Sequence, residues 1–152
     1  MNGISIRKLT PEDLGAILMI EKASFDYPWS EKDFLGEFEM KISGNLGIFL
    51  DKKHLLGYTF YWLIEYECHI LNLAVDHKWR RKEVATTLLK ALFHKAQQKK
   101  AHIFFLEVRE TNVPAINLYR RMGFTVVGRR ESYYADGLDA LVMNLDLLAR
   151  PI

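Results

Sequence analysis

Residues 4–9 alternate apolar and polar positions, the period of a half-buried strand, and Thr10-Pro11 ends the run. Thr10 predicts a helix N-cap with Pro11 at N1 and Asp13 at N3, and Leu14, Ile17, Leu18 and residues 19–23 supply one apolar stripe. The segment Asp26-Tyr27-Pro28-Trp29 interrupts it. Ser30 then caps a second, shorter helix with Asp33 at N3 and Phe34, Leu35 and Phe38 on its buried face. Beyond it the pattern turns to β. Residues 45–50, 55–65 and 68–75, with a polar turn over 51–54, predict an antiparallel meander. Val84, Leu88, Leu89, Leu92, Phe93 and Ala96 recur at spacings of three and four, which predicts a long amphipathic helix. Residues 103–108 suit a buried strand, and 114–122 a helix opened by Pro114 and closed by Gly123. Strands over 124–130 and 138–145, joined through Ala135-Asp136-Gly137, complete the chain.

The order is β-α-α-β-β-β-α-β-α-β-β with no repeat or linker, so residues 1–152 are expected to form one mixed α/β domain. The fourth strand, its helix and the fifth strand make a βαβ unit. That requires parallel strands and a right-handed crossover, with ligands at their carboxyl ends.

Composition removes several classes of function. Hydrophobic residues at 49% and charged residues at 26% fit an ordinary globular protein, and a net charge of +2 is too small to draw nucleic acid or a membrane surface. The run over 57–64 is far shorter than the roughly 20 residues that span a bilayer, and the N-terminus shows no apolar leader. Cys68 is alone, so neither an internal disulfide nor a cysteine zinc site is possible. The five His residues at 54, 69, 77, 94 and 102 have no metal-ligand spacing. A cytoplasmic protein without metal, nucleic-acid or membrane partners is expected.

Two places carry candidate chemistry. Arg80-Arg81-Lys82-Glu83-Val84-Ala85-Thr86 runs directly into the long helix, where free amides, the dipole and three cations favour a phosphate. The alternative is a solvated basic face. No G-x-x-x-x-G-K-[ST] or G-x-G-x-x-G occurs, so nucleotide-triphosphate and dinucleotide readings lose their support. Glu107 interrupts an apolar strand, and partial desolvation by Phe104, Phe105 and Leu106 would fit it as a general base, with Tyr119 on the next helix as an acid. The alternative is a structural ion pair of Glu107 with Arg109 or Arg81 and a core role for Tyr119.

Taken together, Leu73-Ala74-Val75-Asp76, the 80–86 loop, Leu106-Glu107-Val108-Arg109, Asn112, Ala115-Ile116, Leu118-Tyr119 and Gly123-Phe124 resemble the GNAT superfamily of acetyl-CoA-dependent N-acetyltransferases. Pro28-Trp29-Ser30-Glu31-Lys32-Asp33-Phe34 and Tyr133-Tyr134-Ala135-Asp136-Gly137 with Asp139-Ala140 narrow the resemblance to protein N-terminal acetyltransferases of the RimI type, which act on the N-terminal alanine of ribosomal protein S18, with archaeal Ard1-like enzymes nearby. The resemblance spans nearly the whole chain. It implies that Leu73, Ala74 and Val75 pair with the pantetheine arm of acetyl-CoA. Arg80, Arg81, Lys82, Glu83, Val84, Ala85 and Thr86 would hold its pyrophosphate, and Asn112 would contact the cofactor. It further implies Glu107 as base through water, Tyr119 as acid toward the thiolate, and Trp29, Tyr133, Tyr134 and Asp139 as walls of a peptide groove, with a protein N-terminus as partner and a monomer or weak homodimer as the assembly.

One position departs from the family. Glu83 stands where its R-x-x-G-x-G/A loop carries the first glycine, which predicts weakened cofactor binding. The resemblance leaves two other readings open: a coenzyme-binding module without catalysis, and an acetyltransferase acting on a small amine or a lysine side chain.

Overall fold

A computed structural model describes residues 3–149. Its elements are β1 (Ile4–Arg7), α1 (Leu14–Ser24), α2 (Glu31–Glu39), β2 (Ser43–Leu50), β3 (His54–Ile64), β4 (Glu67–Val75), α3 (Val84–Gln98), β5 (Ile103–Arg109), α4 (Val113–Arg121), β6 (Thr125–Arg130) and β7 (Ala140–Asp146). They build a seven-stranded sheet in the order β1-β2-β3-β4-β5-β7-β6, antiparallel except for the β4–β5 pair. This is the mixed α/β arrangement with parallel fourth and fifth strands that the patterning predicts.

Local chemistry sets the helix ends. Ser30 and Asp33 form a reciprocal capping box at α2, Asp33 N–H donating to Ser30 Oγ (3.1 Å) and Ser30 N–H to Asp33 Oδ2 (2.8 Å). Asn112 Oδ1 accepts from Ala115 N–H (3.3 Å) at α4, and Gly123 with φ +103° ends that helix as the C′ residue. A 3-10 turn at Pro11–Asp13 precedes α1. Within α1 the buried positions are Leu14, Ile17, Ile20 and Glu21, whereas Met19, expected in the stripe, is 75% exposed. A period of 3.6 residues from Leu14 and Ile17 lands on 20–21, which places a carboxylate on the core face.

The sheet carries a core on each side. Leu88, Leu92, Phe104 and Met143 belong to the α3 side, and Ile17, Phe34, Tyr58 and Phe60 to the α1–α2 side. Cys68 is buried in β4 as a small apolar side chain.

The parallel pair is cut short. β4 and β5 pair only from Glu67↔Ile103 to Ile70↔Leu106. On its other edge β4 meets β3 as Tyr61↔Ile70 and then Phe60↔Asn72, so Leu71 is an extra residue, a β-bulge. Beyond it β4 stays laddered to β3 through Val75, while β5 stays laddered to β7 through Arg109. A bulge bends its strand, and here the bend coincides with the last β4–β5 pair. The two strands part into a wedge.

Candidate active site

Two cavities meet in this wedge. One, about 720 Å³, is lined by Leu73, Ala74, Val75, Arg80, Arg81, Glu83, Val84, Ala85, Thr86 and Asn112. The other, about 410 Å³, is lined by Glu21, Trp29, Glu107, Arg109 and Tyr134 among others. Leu73, Asn112, Ala115 and Tyr119 border both. The wedge thus gathers most of the expected site residues at the carboxyl ends of the parallel strands.

The larger cavity ends at the start of α3. Unlike α2 and α4, α3 has no side-chain cap, and the N–H groups of Val84, Ala85 and Thr86 have no hydrogen-bond partner among the described residues. Arg81 (φ +64°) and Glu83 (φ +63°) both take the left-handed conformation, which coils the loop and turns its amides together. Arg80 Nε reaches Val75 O (3.4 Å) and its Nη2 reaches Ser24 Oγ (3.2 Å), pinning the loop to β4 and α1. Unbonded amides at a positive helix end, flanked by guanidinium groups, fit a diphosphate. Leu73–Val75 has no strand partner on its β5 side, so its main-chain groups there, apart from the Val75 oxygen that Arg80 holds, are open to an extended amide-bearing chain. An acyl-coenzyme A combines these two features, and one cavity is lined by both. Lys82 does not line the cavity. It lies between the two left-handed residues, exposed, with Nζ 5.4 Å from the Trp79 ring centroid.

On the smaller cavity the expected packing of Phe104 and Leu106 around Glu107 is not found. Glu107 is an exposed residue, because strand alternation sends Phe104 and Leu106 to the opposite face of the sheet and leaves only Phe105 on its own. Its ion partner is Arg130 (Nε to Oε2, 3.3 Å), not Arg109 or Arg81. Tyr119 is 8% exposed and its hydroxyl makes no hydrogen bond among the described residues. Burial, and then the neighbouring Tyr134, push its phenol well above the usual tyrosine range.

Trp29 and Tyr134 line the smaller cavity as expected; Tyr133 and Asp139 do not. Tyr133 is exposed and packs edge-on against Tyr134 at 5.1 Å, with burial and the Glu107 carboxylate raising its phenol. Asp139 is spent on the β6–β7 connection, accepting from Ser132 N–H (2.9 Å) and Arg129 Nη1 (2.9 Å), bonds that hold its carboxyl below the ordinary range. Arg109 bonds Asp136 (2.6 Å) and its guanidinium lies 4.0 Å from the Tyr134 ring centroid and 5.3 Å from that of Tyr27. It therefore bridges the α1–α2 loop and the β6–β7 loop across the cavity.

The model of the acetyltransferase (GNAT) family matches residues 14–124. The chain belongs to the GNAT family. It is 33% identical to the [ribosomal protein bS18]-alanine N-acetyltransferase of Salmonella typhimurium, over 97% of this chain and 99% of that one. The crystal structure of the ribosomal-protein-S18-alanine N-acetyltransferase from Escherichia coli superposes with a TM-score of 0.87 at 28% identity, covering 97% of this chain and 96% of that one. The fold is shared as well with Ard1 from Thermoplasma volcanium, at a TM-score of 0.90 and 24% identity, covering 97% and 99% of the two chains. As a GNAT protein of this kind the chain is an N-acetyltransferase that uses acetyl-CoA, and the larger cavity has the chemistry to hold that coenzyme.

Two residues lining the smaller cavity, Glu21 and Asn72, carry no motif. Glu21 is 1% exposed and accepts from Trp29 N–H (Oε2, 2.9 Å), Tyr58 Oη (Oε1, 2.5 Å) and Asn72 Nδ2 (Oε1, 2.9 Å). Asn72, 8% exposed, follows the bulge directly. The available signal for Glu21 is its place four residues after Ile17 on the buried face of α1.

Proposed function

We propose that this enzyme transfers the acetyl group of acetyl-CoA to the N-terminal α-amine of a protein, with the terminal alanine of ribosomal protein S18 as acceptor. The observation that carries the reading is the meeting of two cavities at Tyr119 inside the β4–β5 wedge. A donor in one and an amine in the other approach each other there without a covalent enzyme intermediate. The names of the relatives supply the acceptor class.

Leu73, Ala74 and Val75 hold the pantetheine arm along the open edge of β4. The amides of residues 81–86 with Arg80 and Arg81 hold the pyrophosphate, and Asn112 borders the reacting end. Acetyl-CoA supplies a thioester carbon for attack. An α-ammonium has a pKa near 8 and must lose a proton to become a nucleophile. Glu107, open to solvent, takes that proton through a water. Main-chain N–H groups of β4 stabilise the charge that develops on the carbonyl oxygen. Tyr119 Oη, kept protonated by its burial, donates to the departing sulfur. Trp29 and Tyr134 wall the acceptor in the cavity that Glu107 also lines, and Tyr133 and Asp139 support that wall from the β6–β7 connection.

The test is mass spectrometry of a synthetic peptide with the S18 N-terminus, containing an internal lysine, after incubation with enzyme and acetyl-CoA. One acetyl group on the α-amine is expected. Acetylation at lysine alone, or none while coenzyme binds, would overturn the assignment.

A further inference from the structure

Glu21 is a buried carboxyl group with no cationic partner among the described residues. An apolar side chain on this face of α1 would avoid the desolvation of a carboxylate. Three donors offset it, and they come from three places: the α1–α2 loop, β3 and β4. β3 and β4 are already laddered to each other on both sides of the bulge, and Thr59 Oγ1 bonds Asn72 O (2.9 Å) in addition. The loop has no such support. Of the main-chain groups of residues 26–29, Trp29 N–H alone makes a hydrogen bond among the described residues, and its acceptor is Glu21. Trp29 in turn packs its ring on Phe34 (5.2 Å) and Phe60 (6.2 Å) and lines the smaller cavity.

We propose that Glu21 is a positioning residue for the acceptor: its buried carboxylate anchors the 26–29 loop on the sheet and so fixes the Trp29 wall of the cavity that receives the amine. Only the identity of the acceptor rests on the function proposed above. The donor cavity is lined mainly by β4, the 80–86 loop, α3 and α4, and α1 reaches it at Ser24 and Phe25, whereas Glu21, Trp29 and Asn72 line the acceptor cavity and not this one. Cutting the Glu21 bonds should therefore act chiefly on the acceptor.

The experiment compares Glu21→Ala with wild type and Tyr58→Phe, each first shown to be folded by circular dichroism. In Glu21→Ala the Trp29 amide should exchange with solvent at least about tenfold faster, and KM for the S18 peptide should rise at least about tenfold. KM for acetyl-CoA should stay within about twofold. Tyr58→Phe removes a partner of Oε1 but leaves the Trp29 bond, so it should keep peptide KM within about twofold while lowering the melting temperature. Unchanged peptide KM in Glu21→Ala, equal rises in both KM values, or an equal rise in Tyr58→Phe would each overturn the proposal. Should Glu21→Ala not fold, Glu21→Leu replaces it. Leucine fills the buried site without any acceptor oxygen, so Trp29 N–H loses its partner and the same readouts apply. If wild type leaves the S18 peptide unmodified, the acceptor assignment falls, and the comparison is made on whichever amine of a substrate panel it acetylates.

Discussion

Tyr119 sits where donor and acceptor spaces join, and its protonation is what matters there. A phenol raised above its ordinary value of 10.0 keeps its proton through the whole neutral and mildly alkaline range. Ionisation of Tyr119 should therefore cause no fall in kcat below about pH 10. Tyr119→Phe should lower kcat roughly ten- to a thousand-fold with the acetyl-CoA dissociation constant unchanged, as read by stopped-flow thiol release and calorimetry. Full activity would remove it as acid. Glu107→Gln should likewise lower kcat and spare coenzyme affinity. That both residues reach one crevice was readable from the chain, but the surroundings of Glu107 were not. Adjacent apolar residues in a strand alternate between faces, so Phe104 and Leu106 point to the α3 side and leave Glu107 with Phe105, Arg130 and Tyr133, its side chain 30% exposed.

At the level of elements the informative part is the entry to α3. The 80–86 loop keeps a left-handed turn at Glu83, where the family carries glycine, and the side chain stays exposed at the rim of the donor cavity. A non-glycine residue in that region costs about 1 kcal/mol. A carboxylate near a diphosphate adds a repulsion of similar size that salt screens. Glu83→Gly should raise the melting temperature by about 2–4 °C and tighten acetyl-CoA about fivefold at low ionic strength, less at high salt. Calorimetry showing no tightening would contradict this. The helix itself was legible because its stripe repeats at 3.6 residues. The outward turn of Lys82 was not, since it follows from the φ angles of its two neighbours rather than from its charge.

For the molecule as a whole, the wedge is the product of two registers. The parallel pair follows from the βαβ pattern, whereas the place of β7 between β5 and β6 does not. The opening follows from the Leu71 bulge, which exists only in the pairing of β4 with β3 and leaves no mark in the local alternation. The Glu21 network is equally non-local, since it joins residues 51 apart in the chain. Pattern therefore finds which strands flank the site, and tertiary pairing decides how far they separate. The most direct test is a crystal structure with acetyl-CoA. The account predicts the pantetheine hydrogen-bonded to main-chain groups of Leu73–Val75, the pyrophosphate on the amides of residues 81–86, and the thioester beside Tyr119. A coenzyme bound elsewhere, or a closed β4–β5 ladder with that edge paired to protein, would contradict it.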